Sequence, residues 1–201
     1  MRGSQMPNDL GKLLWLMADR LGQSDLPICQ LVAAALDRSV GQTHAKAAPQ
    51  SEIVPLKFDG INPPCGQAHM DLYRAISQTS TDLSWRRPGF GKIPDAIASH
   101  MAVCEIIGPA GQIKHETVRA GLLFQAPDIT YPRHSHAAEE IYLSLSGPVE
   151  FQVDESDWRH AFAGDFTHHL PHQPHAIRTG TIPLLAVWGW AGDIGAESYK
   201  I

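Results

Sequence analysis

A chain of 201 residues has room for one main core with a helical annex, and hardly for two large independent domains. Its formal charge is −5 with His neutral, and no Lys/Arg block occurs, which argues against an electrostatic grip on nucleic acid or an anionic membrane. The expected partner is a small molecule. Three cysteines, Cys29, Cys65 and Cys104, are widely spaced and outside any Cys-x-x-Cys pair, so neither a disulfide framework nor a thiolate zinc site is expected. No apolar run reaches membrane-spanning length and the first residues lack the pattern of a secretory signal, so the expected location is the cytoplasm.

In chain order, Leu10, Leu13, Leu14, Met17 and Leu21 recur at helical spacing behind Asn8 and Asp9 and predict a helix over 9–21. A second helix is predicted from Pro27, suited to an early helical position, through the segment Leu31 to Leu36. Residues 39–50 read as a connection. A third helix is expected over 66–77, with Met70, Tyr73 and Ile76 on one face. The passage from Trp85 to Pro94 is rich in turn residues and joins this helical part to a β part. Trp85, Arg86 and Arg87 offer guanidinium forks for a carboxylate, but packing and solvated charge are the favoured reading.

Beyond residue 97 the texture changes to short apolar runs separated by Gly, Pro and Asp. Strands are predicted at 99–107, 118–125, 140–145, 149–153, 157–162, 165–170, 175–179 and 183–190. Eight short strands at this spacing indicate a mainly β domain, either a sandwich or a small barrel of the jelly-roll type. The implied organisation is a helical extension over 1–95 and a β-barrel over 96–201. The helices could cover a sheet edge, close a barrel mouth or form a dimer contact, so monomer and homodimer both stay open.

Within YPRHSHAAEEIYLSLSG, residues 131–147, His134, His136, Glu140 and Tyr142 share one parity while Ile141, Leu143 and Leu145 take the other. Alternation along a strand would put the polar groups on one face and the aliphatic ones on the opposite face. Downstream, in GDFTHHLPHQPHAI from Gly164, the Gln173-Pro174 turn delivers His175 into another apolar strand. Three imidazoles and a carboxylate suit one divalent ion such as Zn²⁺, Fe²⁺, Mn²⁺, Co²⁺ or Ni²⁺, without selecting among them. His134 either completes this shell or donates to substrate from just outside it. Glu139, of opposite parity, reads as a solvated or structural charge. The histidines at 160, 168, 169 and 172 read as exposed or paired structural groups.

At these residues the chain resembles the cupin superfamily. The first cupin motif, GxxxxxHxHxxxExxxxxxG, is met at His134, His136, Glu140 and Gly147, with Asp128 in place of the leading Gly. Of the second, GxxxxxPxGxxHxxxN, Gly164 and His175 are kept, while Leu170, His172 and Thr179 replace the Pro, middle Gly and Asn. The superfamily implies a jelly-roll barrel and a metal. It does not imply one reaction, and isomerases, Fe(II) dioxygenases and non-catalytic binding proteins remain alternatives.

Over nearly its whole length the chain also resembles the cupin-type dimethylsulfoniopropionate lyases of marine bacteria. The likeness rests on the N-terminal helices, the Trp-Arg-Arg-Pro passage at 85–88, IIGPAG at 106–111, the stretch from Tyr131, and PLLAVWGWAGD at 183–193. It implies cleavage of dimethylsulfoniopropionate to dimethyl sulfide and acrylate. That elimination needs a base at the carbon next to the carboxylate, and Tyr131 and Tyr142 compete for the role. Tyr131 is the favoured base, in a loop before the ligand strand, and Tyr142 a metal ligand or second base. Trp188 and Trp190 share parity on the last strand and are candidates, Trp190 first, for an aromatic wall around the sulfonium.

Overall fold

The computed structural model describes residues 9–46 and 67–201. Asn8, Cys65 and Gly66, and the later part of the 39–50 connection, lie outside the described residues.

Three helices come first: α1 (Asp9–Leu21), α2 (Pro27–Ser39) and α3 (Gln67–Thr79). The α1 stripe falls where its spacing predicts, with Leu10, Leu13, Leu14, Met17 and Leu21 all buried. Pro27 opens α2, where its missing N–H is no loss. Its buried face is Ile28, Cys29, Val32, Ala33, Ala35 and Leu36, whereas Leu31 is exposed. In α3 the buried face is Leu72, Ala75 and Ile76; Met70 and Tyr73 are only partly covered, so the expected face is rotated by part of a turn.

After α3 the chain forms a two-residue strand β1 (Trp85–Arg86), a short helix α4 (Asp95–Ala98), and then β2 (Met101–Ile107), β3 (Val118–Gln125), β4 (Thr130–His134) and β5 (Ala138–Ser144). It continues through β6 (Val149–Val153), β7 (Arg159–Ala161), β8 (Phe166–His169), β9 (His175–Thr179) and β10 (Leu184–Gly192). Two sheets result, ordered β1-β2-β3-β10-β5-β8 and β4-β9-β6-β7, with every named strand pair antiparallel. β1 and β4 were not among the predicted strands. β1 precedes residue 96 yet belongs to the six-stranded sheet, so the sheet begins inside the segment read as helical.

The larger sheet is apolar on both faces, and each face has its own cluster. Ile141, Leu143, Leu145, Leu185 and Val187 face outward into a core shared with α1, α2 and α3. The helices therefore cover the outside of this sheet. The opposite parity, including Tyr142, Ala186, Trp188 and Trp190, faces inward and meets Phe151 and Ile177 of the smaller sheet. Among the described residues no helix is long and apolar enough to cross a membrane.

Two departures from the cupin motifs have a backbone explanation. Asp128 and His172, standing where the motifs carry glycine, have φ of +57° and +63°. These positions require the left-handed region, and Asp and His are among the side chains that tolerate it best. The conformation lets the His172 N–H reach the His136 carbonyl at 2.7 Å, tying the turn before β9 to the corner before β5.

Candidate metal centre

The stretch read as one alternating ligand strand is two strands joined at a corner. β4 ends at His134 in the smaller sheet, residues 135–137 carry His136 around the bend, and β5 presents Glu140 and Tyr142 in the larger sheet. His175 opens β9 and stands opposite His134 in the β4–β9 register. The two sheets thus bring the four side chains together, with one candidate ligand atom from each lying within 4.8 Å of all the others. All four residues are buried, between 1% and 3% exposed.

Protonation is dictated by the backbone. Nδ1 of His134 lies 2.8 Å from the Pro132 carbonyl, Nδ1 of His136 3.0 Å from that of Ala138, and Nδ1 of His175 2.9 Å from that of Gln173. A carbonyl only accepts, so each Nδ1 carries a proton and each ring aims its Nε2 inward, the orientation of metal-binding histidines. Yet Nε2 of both His136 and His175 stands 3.0 Å from Glu140 Oε2. Lone pairs facing one another at that distance in a buried site need positive charge between them. Two imidazoliums would provide it only by placing two cations side by side away from water; one divalent ion meets the same demand with the donors already in place. The residues fit a metal.

The surrounding row is set by cross-strand register. Trp190, Glu140 and His169 are consecutive partners across β10, β5 and β8, and Trp188 pairs with Tyr142. Trp190 donates its indole N–H to Glu140 Oε1 at 2.6 Å and lies with its ring 4.0 Å from His136. Trp188 donates to the Cys104 carbonyl at 3.3 Å. Gly121, opposite Trp188, is obligatory there, since a Cβ would fall 1.9 Å from that same carbonyl oxygen. Both tryptophans, with Tyr131, Tyr142, His134 and Glu140, line a cavity beside the ligand cluster.

Tyr131 lies within β4 rather than in a loop before it, because residues 130–134 pair with β9. Its ring stacks on His134 at 4.2 Å. Three further residues at this cavity or its ligands were not favoured as site residues in the sequence. Tyr199 bonds the Tyr131 hydroxyl at 3.0 Å. His169, placed with the exposed or paired histidines, is fully buried, stacks on His175 at 3.9 Å and has neither ring nitrogen partnered among the described residues. Arg86 lines the cavity, its guanidinium 4.9 Å from the Phe90 ring and 3.7 Å from the Glu105 carboxylate. By contrast, Glu139 does carry a partner, His168 at 2.7 Å, away from the cluster.

Burial shapes the electrostatics. It pushes the His134 and His169 imidazoles down, His169 to about 3, with the neighbouring His175 adding to both, so both stay neutral. Burial would raise the Glu140 carboxyl, but positive charge and donated hydrogen bonds from the His136 and His175 side outweigh it and hold it well below the usual range, the direction in which an ion between these donors would also act. The phenols of Tyr131, Tyr142 and Tyr199 are all pushed up by burial, Tyr142 further by Glu140 and Tyr199 further by Tyr131.

Residues 59–186 match the family model described as dimethylsulfoniopropionate lyase. The chain is 36% identical over 124 residues to a protein of Cereibacter sphaeroides assigned as dimethylsulfoniopropionate lyase DddL, covering 61% of this chain and 51% of that protein. It is 35% identical over 89 residues to dimethylsulfoniopropionate lyase DddQ of Ruegeria pomeroyi, covering 44% of each. The match thus spans about half the length of these curated relatives. Among solved structures, one described with the lyases RdDddP and RnDddQII superposes with a TM-score of 0.75 at 20% identity over 96% of this chain and 97% of that one. The DddQ structure from Ruegeria pomeroyi gives 0.62 at 24% identity over 89% and 92%. At these identities the likeness establishes the fold, a cupin barrel with N-terminal helices.

Proposed function

Because the chain belongs to the dimethylsulfoniopropionate lyase family, we propose that it cleaves dimethylsulfoniopropionate to dimethyl sulfide and acrylate by base-initiated β-elimination. The observation that carries this is the placing of two phenols, Tyr131 and Tyr142, in the same cavity as the inward donors of His134 and Glu140. A plain metal-binding cupin has no need of them.

His134, His136, Glu140 and His175 would hold one divalent ion, with Tyr142 as a further ligand or second base. Zn, Fe, Mn, Co and Ni all suit this N/O set. When bound, the ion supplies positive charge to the substrate carboxylate, acidifying the adjacent C–H, and to a nearby phenolate. Tyr131 is the base: its oxygen takes the proton from the carbon next to the carboxylate. The electrons of that C–H bond form the new C=C bond, and the C–S pair leaves with sulfur as neutral dimethyl sulfide. Trp188 and Trp190 offer aromatic faces to the sulfonium, each worth about 0.5–2 kcal/mol when well placed. His134, on the cavity wall as well as in the cluster, orients the carboxylate.

Of the segment read as 1–95, helices α1, α2 and α3 act as an extension packed on the barrel while β1 joins the barrel strands of 96–201, and the protein works on a small molecule in the cytoplasm as a monomer or homodimer. The test of the chemistry is dimethyl sulfide release by Tyr131→Phe and Tyr142→Phe at equal metal content. Tyr131→Phe is expected to lose at least about 100-fold in kcat. Near-normal turnover by that variant removes Tyr131 as base.

A further inference from the structure

The charges around Arg86 do not cancel. Glu105 is buried beside Arg119, whose Nη1 donates to its Oε2 at 2.9 Å, and the Ala110 N–H donates to Oε1 at 2.8 Å. Arg119 is tied further by its Nε, which donates to the Ile194 carbonyl at 2.8 Å. Both Glu105 oxygens are therefore engaged without Arg86, whose Nη2 stands 3.7 Å from Oε2, within ion-pair range but too far for a hydrogen bond. Two guanidiniums share one carboxylate. One positive charge remains, and of the two arginines Arg86 is the one that lines the cavity.

Donors remain as well. Among the described residues the Arg86 guanidinium makes one hydrogen bond, from Nη1 to the Arg87 carbonyl at 3.3 Å, out of the five N–H groups it carries. The group is nevertheless held in place. β1 pairs Arg86 with Val103, itself a cavity residue, and the Phe90 ring lies 4.9 Å from the Arg86 guanidinium and 5.6 Å from that of Arg119. Phe90 keeps that position at φ +53° between Gly89 and Gly91 at +74° and +81°, a left-handed backbone that a phenylalanine rarely adopts. Its ring already serves two of the protein's own cations, which leaves the faces of Trp188 and Trp190 for a third.

Resting on the elimination proposed above, we propose that Arg86 is a specificity-determining residue that receives the substrate carboxylate. A zwitterion meets this wall with one preferred end, because the uncancelled charge attracts the carboxylate and repels the sulfonium. The molecule is thereby sorted head from tail. A carboxylate has two oxygens, so the guanidinium takes one and leaves the other for the ion proposed at the His/Glu cluster. The Arg86 side chain is 36% exposed, so water screens the attraction and the expected effect lies at the low end for a charge-assisted hydrogen bond.

Arg86→Gln removes the charge and keeps hydrogen-bonding groups; Arg86→Lys keeps the charge and loses the fork. At equal metal content, Arg86→Gln is expected to raise the KM for dimethylsulfoniopropionate about tenfold with kcat within about threefold, and Arg86→Lys to recover part of that loss. Binding of the two halves of the substrate is read without turnover, by ligand-observed NMR titration of metal-reconstituted protein with propionate and, separately, with trimethylsulfonium. Propionate should bind about tenfold more weakly to Arg86→Gln, while trimethylsulfonium binds at least as well as to the wild type.

Equal propionate affinity in wild type and Arg86→Gln, no propionate binding by the wild type, or a parallel loss of both probes overturns the proposal and leaves Arg86 as wall. If propionate binding depends on Arg86 but the wild type releases no sulfide from dimethylsulfoniopropionate, the elimination fails while the carboxylate site stands. If sulfide is released and propionate binding ignores Arg86, the site fails while the elimination stands.

Discussion

Trp190 donates its indole N–H to Glu140 Oε1 at 2.6 Å, and the other carboxylate oxygen, Oε2, is the one facing His136 and His175. A residue expected from sequence to serve the sulfonium therefore also fixes the rotation of the candidate ligand carboxylate. The two tasks are compatible, because the hydrogen bond uses the indole edge and a cation would use the face. Trp190→Phe keeps an aromatic face and removes the N–H. Metal affinity, measured by competition with a chelator of known strength, is expected to fall about 10–100-fold. Unchanged affinity would mean that β-sheet pairing alone aims Glu140.

Backbone strain at the turn before β9 gives a stability prediction of unusual sign. His172 is exposed and sits at φ +63° without a side-chain reason to be histidine. His172→Gly removes the left-handed penalty and should leave stability equal or raised by up to about 1 kcal/mol, while a β-branched His172→Val should lower it by about 1–2 kcal/mol. Urea denaturation of both variants decides this; a clear loss in His172→Gly would show the imidazole to be needed there.

The buried His169, without a hydrogen-bond partner among the described residues, makes the chelated protein acid-sensitive. Its pKa is pushed from the unfolded value near 6.5 down to about 3, chiefly by burial and then by His175. Above the unfolded value neither state binds the proton and the group contributes nothing. Below it the unfolded chain takes up a proton that the folded state refuses, so stability falls from pH 6.5 toward 3. At pH 5 the loss from this group is about 2 kcal/mol. His134, shifted in the same direction, steepens the fall. His169→Phe in the chelated protein should flatten the slope between pH 7 and 5 relative to wild type. Parallel slopes would place protons on His169 within the folded state.

The buried His/Glu cluster was legible because three of its members obey local rules. Parity links His134, His136 and Glu140, and a Gln-Pro turn introduces His175. The corner at 135–137 was invisible, since alternation continues across it without interruption. Tyr199 carries no pattern at all; its place depends on the Ser135–Lys200 bridge, a contact between residues far apart in the chain. His169 was hidden by composition, because a run of histidines looks solvated whether or not one member turns inward. Arg86 reaches the cavity through the β1–β2 pairing, which two residues of strand cannot announce. The face of α3 was misjudged for a different reason: Met70, Tyr73 and Ile76 fit helical periodicity as well as Leu72, Ala75 and Ile76, and only the neighbours choose between them.

Metal-reconstituted protein incubated with dimethylsulfoniopropionate, with headspace dimethyl sulfide and dissolved acrylate followed together, tests the assignment most directly. The expected result is equal amounts of the two products, formed without O₂, abolished by chelation and restored by a divalent ion, and absent in His175→Ala. Sulfide release that persists in stably metal-free protein, or no release with any of the five candidate ions, would contradict it.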